Sequence, residues 1–86
     1  LVKIDRMNAL DLWSLQENQE ALVKAFCPAL PFPHRERFIE LGFREGEAVK
    51  CVKSTPFGAP RVFEVCDTVF SVSKEDAKRI FVALDP

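Results

Sequence analysis

The side chains suited to chemistry in this 86-residue chain are three cysteines, a single histidine and a scatter of carboxylates. Cys27 and His34 stand close enough in sequence to suggest a thiol–imidazole pair. A working pair needs a third group to orient the base, and the sequence offers no identifiable one. His34 therefore reads as an exposed residue near a helix start and Cys27 as a packed loop thiol. Cys27, His34 and Glu36 together offer mixed metal ligands, yet divalent metals of this type favour clustered histidine and carboxylate. One histidine without a ligand-spaced cluster predicts no metal site and no cofactor. Glu36 and Glu40 lie a helical turn apart among Arg35, Arg37 and Arg44. That is a solvated charged face rather than an acid–base couple, which needs burial to shift its carboxyls. Gly42-x-x-x-Gly46 lacks the lysine and hydroxyl residue of a phosphate loop. No catalytic residue is predicted.

Recognition is better provided for than catalysis. Leu41-Gly42-Phe43-Arg44-Glu45-Gly46 follows a charged, helix-like run, and Gly42 is placed where a left-handed residue closes a helix. Gly46 then opens a strand. Pro56-Phe57-Gly58-Ala59-Pro60 is a rigid turn with prolines at both ends, forming the stiff tip of a hairpin. Phe57 there is either a rigid aromatic anchor for a partner or a lid folded back over an open barrel end. Trp13 faces the same choice, with core or barrel edge preferred.

The elements holding these residues are short. Met7 to Trp13 alternates as a first strand, and Ser14 to Glu20 is a polar connection with Asn18 suited to a left-handed turn. Ala21 to Phe26 is a second strand, with Ala21, Val23 and Ala25 facing opposite to Leu22, Lys24 and Phe26. Cys27 to Pro33 carries three prolines and reads as a loop feeding a helix from His34 to Leu41. Phe38, Leu41 and Ile39 would point inward, with Arg35, Glu36, Arg37 and Glu40 in solvent. Glu47 to Lys53 and Arg61 to Asp67 are strands three and four, Asp67-Thr68 a reversal, and Val69 to Ser73 strand five. Cys51 and Cys66 fall within these apolar strands. Ser73-Lys74-Glu75-Asp76 matches a capping box opening a very short helix. Ile80 to Leu84 closes the chain as a last strand. The fold class is thus mainly β: a small barrel of five to six short strands with two short helices.

Composition narrows the function classes. A chain of this length is one domain, from residue 7 to 86, and buries roughly 60–65% of its unfolded surface. Leu1 to Arg6 read as a cloning-derived or disordered leader ahead of a start at Met7. Twelve basic against thirteen acidic residues, with no basic block, give no support for nucleic-acid binding or for polybasic membrane attachment. No run approaches the roughly 20 apolar residues that span a bilayer. The odd, widely spaced cysteines contain no CxxC pair and suit a reducing cytoplasm.

Phe38 to Val82 resembles the FeoA family of small cytoplasmic proteins associated with bacterial ferrous-iron uptake. The resemblance rests on Leu41-Gly42, Gly46, Val49 to Val52, Pro56 to Pro60, Val62 to Val72, Glu75 to Ala77 and Ile80 to Val82. It implies an SH3-like barrel that is not an enzyme and works as an accessory protein. The implied partner is a FeoB-type membrane transporter, bound from its cytoplasmic side without direct membrane insertion. Gly42, Gly46, Pro56, Phe57, Gly58 and Pro60 are the expected partner-binding residues. The protein would then be cytoplasmic and peripheral to the inner membrane through that partner. Ser73 replaces an arginine common in the family, and Phe26 to Pro33 is longer and richer in proline. An exposed barrel edge could also pair with a second copy.

Two other readings compete. The chain also suits the SH3-like C-terminal domain of an iron-dependent repressor of the diphtheria-toxin-repressor type. A eukaryotic SH3 peptide-binding module would need a tyrosine-rich groove, and this chain has no tyrosine.

Overall fold

The computed structural model describes residues 9–84. Met7, Asn8 and the leader expected at Leu1 to Arg6 lie outside the described residues, as does the end of the domain at 85–86. Six antiparallel strands form one curved sheet: β1 (Ala9–Asp11), β2 (Glu20–Phe26), β3 (Ala48–Lys53), β4 (Arg61–Val65), β5 (Thr68–Val72) and β6 (Ile80–Ala83). Their order across the sheet is β1-β6-β2-β3-β4-β5. Two short helices, α1 (Phe32–Leu41) and α2 (Lys74–Ala77), accompany them. The mainly β architecture of short strands with two short helices is the one the strand pattern predicts, and its SH3-like form is what the family resemblance implies.

Curvature comes from two irregularities in register. One lies in β2 between Val23 and Ala25, the other in β3 between Cys51 and Lys53. A bulge bends its strand and increases local twist, which lets so short a sheet wrap around its own core. At the first, Val23 turns from β6 to the β3 approach, donating its N–H to Glu47 O and accepting from Gly46 N–H, both at 2.8 Å. Past the bulge Ala25 is exposed rather than inward.

The core is lined by Leu12, Leu15, Val23, Val49, Cys51, Phe63, Val65, Val72, Ile80 and Val82, with Phe43 fully enclosed. Phe43 meets Phe38 of α1 and Phe70 of β5 edge to face, with centroids 5.4 Å apart in each pair. Each such contact contributes about 0.5–1.5 kcal/mol beyond area burial. Phe43 therefore joins helix to sheet.

Several boundaries differ from the sequence expectation. The first strand stops at Asp11, whose carboxylate caps a single 3-10 turn at Leu12–Ser14 by accepting from Ser14 N–H at 2.9 Å. Leu15, in the stretch read as a polar connection, is buried. Helix α1 begins at Phe32, two residues early, because prolines fit a first helical turn that needs no N–H. Strand four ends at Val65, and the reversal is Cys66-Asp67 rather than Asp67-Thr68. Both residues have positive φ, 50° and 63°, as a two-residue hairpin of the inverted type requires. Cys66 is consequently exposed in a turn and not inside a strand. Ser73 caps α2 as expected, accepting from Asp76 N–H at 3.2 Å, and the last strand opens at Ile80 as expected.

Candidate functional site

The connection between β3 and β4 is tied across its base. Thr55 Oγ1 donates to Ala59 O at 2.5 Å, and Ala59 N–H reaches Pro56 O at 3.3 Å. Ser54 N–H is held by Glu17 Oε1 at 3.2 Å. This leaves Phe57 and Gly58 at the tip, both left-handed, with φ of 59° and 78°. Phe57 does not fold back: its accessibility is 103% of the reference value. A bulky residue in the left-handed region costs about 1–2 kcal/mol, so the loop holds its largest apolar side chain outward at a cost. The proline-bracketed sequence predicts the rigid turn but leaves the ring's direction open.

Beside the loop lies a group that sequence reading misses. Arg61, the first residue of β4, stacks its guanidinium 3.9 Å from the Trp13 ring centroid and donates Nη1–H to Trp13 O. Lys74 Nζ approaches the same ring at 6.0 Å. Lys74 also bounds the tip, because a Cβ on Gly58 would sit 3.5 Å from Lys74 Cδ. Trp13 is thus a half-buried edge residue under two cations, joining the 3-10 turn, β4 and α2. The signal available was the tryptophan itself; its cations come from positions 48 and 61 residues later.

The two other glycines expected to bind the partner, Gly42 and Gly46, stand apart from the Phe57 loop. Gly42 closes α1 with φ 114° and is buried, and a Cβ there would lie 2.8 Å from Cys66 Sγ. Gly46, at φ 90°, is exposed with open space around its Cα and donates its N–H to Val23 O. Both precede β3, whereas Pro56, Phe57, Gly58 and Pro60 follow it. Five rises of about 3.3 Å separate the ends of that strand by roughly 17 Å. The structure does not bring the two groups together.

Residues with chemical potential are also dispersed. His34 Nδ1 lies 3.1 Å from Asp76 Oδ1, an exposed link between α1 and α2. Glu36 and Glu40 are exposed. Cys27 is half-buried, donating its N–H to Arg79 O. Burial pushes the Cys51 thiol pKa up, opposed in part by the Arg61 charge. The Cys66 thiol is raised by local desolvation and then by the Glu47 carboxylate, whose Oε2 is 3.6 Å away. Neither is tuned toward a thiolate nucleophile. Among the described residues no three His, Cys, Asp or Glu side chains are grouped to hold a metal ion, and no helix is long and apolar enough to cross a membrane.

A family model for the FeoA domain matches residues 10–84 of the chain. The chain belongs to the FeoA family. That family is associated with ferrous-iron transport. FeoA of Stenotrophomonas maltophilia, solved in complex with zinc and described as a prokaryotic SH3 domain protein, is 31% identical. The similarity covers 85% of this chain and 88% of that one, with a TM-score of 0.75. FeoA from Chlorobium tepidum shares the fold at 22% identity and TM-score 0.80, covering 90% and 71% of the two chains. A manganese-dependent transcriptional repressor also shares it, at 14% identity and TM-score 0.79, with 90% of this chain on 42% of the repressor. Comparison with curated proteins gives no match.

Proposed function

We propose that this FeoA-family protein is a non-enzymatic accessory factor of ferrous-iron uptake that docks on the cytoplasmic side of a FeoB-type transporter. Family membership supports the process, and the exposed Phe57 carries the docking. An aromatic ring on a proline-bracketed, cross-tied loop loses little conformational freedom on binding, which is what makes such residues effective anchors. Arg61 and Lys74, gathered on Trp13, place positive charge at the base of the loop, with Lys74 against Gly58. The protein would act by binding one transporter conformation better than another, since equal affinity for both shifts nothing. A tenfold preference corresponds to about 1.4 kcal/mol.

Phe57→Asn tests the assignment. Asparagine suits the left-handed backbone, so the fold is retained while the anchor is lost. Affinity for the detergent-purified transporter should fall at least about tenfold, the loss typical of an aromatic hot spot. Unchanged affinity would remove Phe57 from the interface.

The repressor-domain reading is favoured by one observation, the 0.79 TM-score over 90% of this chain. The genomic reading frame decides between the two. DNA-binding helices encoded in frame before residue 1 would favour a regulator, and a transporter gene alongside would favour the accessory role.

A further inference from the structure

We propose that the free edge of β5, with the groove between it and α1, accepts an extended apolar–acidic segment of a protein partner as an added strand. This surface does not include Phe57, and the inference stands without the transporter reading.

Strand β5 is the last in the sheet and pairs only with β4. The two-residue reversal at Cys66-Asp67 makes Val65 and Thr68 a hydrogen-bonded pair. Alternation along the register gives the same character to Phe63 with Phe70 and Arg61 with Val72. Val69 and Ser71 must therefore point their N–H and C=O groups away from β4. Among the described residues neither takes part in any other backbone hydrogen bond. Val69 is also one of the few large apolar side chains left open, at 55% accessibility.

Helix α1 runs antiparallel beside this edge. Its closing Gly42 lies against Cys66 at the start of β5, and its His34 meets Asp76 beyond the strand's end. Between helix and strand is a groove of about 430 Å³, with Phe38, Leu41 and Phe70 among its apolar lining and Arg37 at its wall. The His34–Asp76 contact lies at its α2 end. Arg37 is exposed and forms no ion pair with a carboxylate among the described residues. A strand laid along Val69 and Ser71 would meet main-chain partners on one side. Alternate side chains would face the aromatic lining, and a carboxylate in the segment would complement Arg37. Main-chain bonds supply affinity in this mode and the alternating pockets supply selectivity.

The test uses two synthetic peptides of alternating valine and serine, identical except for a central glutamate or lysine, titrated into the isotope-labelled protein and followed by NMR. Expected are saturable shifts at the Val69 and Ser71 amides, with slower hydrogen exchange there on binding. The glutamate peptide should bind about threefold tighter than the lysine peptide, and Arg37→Glu should reverse that order. Ser71→Pro removes an outward N–H at an edge position that tolerates proline, and should weaken binding at least about tenfold. Should that variant fail to fold, exchange protection of Ser71 in the unaltered protein carries the decision. The proposal is overturned if neither peptide binds, or if shifts stay on α1. It is equally overturned if Val69 and Ser71 are already protected without peptide, because α1 or a second copy covers the edge.

Discussion

Phe57 and Gly42 both adopt backbone conformations that disfavour side chains, and for opposite reasons. Gly42 has no alternative: its Cβ would collide with Cys66 Sγ at 2.8 Å, in a region where L-residues are already strained. Gly42→Ala is expected to cost about 2 kcal/mol or more, against about 1 kcal/mol for Gly46→Ala, where nothing lies within 4 Å. Urea unfolding of the two variants measures that difference directly, and equal losses would remove the steric argument. Phe57 instead makes no packing contribution, so replacing it should help the fold. Phe57→Asn should raise stability by about 0.5–1 kcal/mol in the same unfolding experiment. A gain in stability coupled to a loss of binding marks a residue kept for its surface.

Among the elements, the β4–β5 hairpin is the least well specified by its sequence. Cys66 and Asp67 occupy two left-handed positions that asparagine and glycine fill best. Replacing both by Asn-Gly should stabilise the domain by about 1 kcal/mol, read as a higher urea midpoint at unchanged slope. The same residues explain why strand four was expected to run on to Asp67. Cys66 continues the apolar run of β4, and nothing in its type announces a turn. Where turn chemistry is explicit, the sequence is legible: Asn18 takes φ 70°, Ser73 caps α2, and Gly42 closes α1. The sequence expectation starts helix α1 two residues late because proline breaks a helix interior, although in a first turn it is a starter. Leu15 and the Trp13–Arg61–Lys74 stack are not legible in the sequence because their burial depends on elements distant in the chain. The candidate site was legible as a stiff proline-bracketed tip. Its separation from Gly42 and Gly46 by the length of β3 required the fold.

At the scale of the whole molecule, the raised thiols predict a loss of stability in alkali. Cys51 and Cys66 hold their protons to higher pH in the native state than the unfolded chain does, by burial in one case and by desolvation beside Glu47 in the other. Above an unfolded thiol pKa of about 8.5 the unfolded chain binds fewer protons, so stability falls as pH rises. Below that value the native state carries no such penalty. The urea midpoint should be lower at pH 10 than at pH 7, and Cys51→Ala should remove part of that difference. A midpoint independent of pH would contradict the inferred thiol environments.

The central claim is coupling to a FeoB-type transporter, and calorimetric titration of the protein into the detergent-purified transporter from the same genome tests it most directly. Run with and without a GTP analogue, it should show saturable binding whose affinity changes with nucleotide. The absence of binding up to about 100 μM, a free energy near −5.5 kcal/mol, would contradict direct regulation.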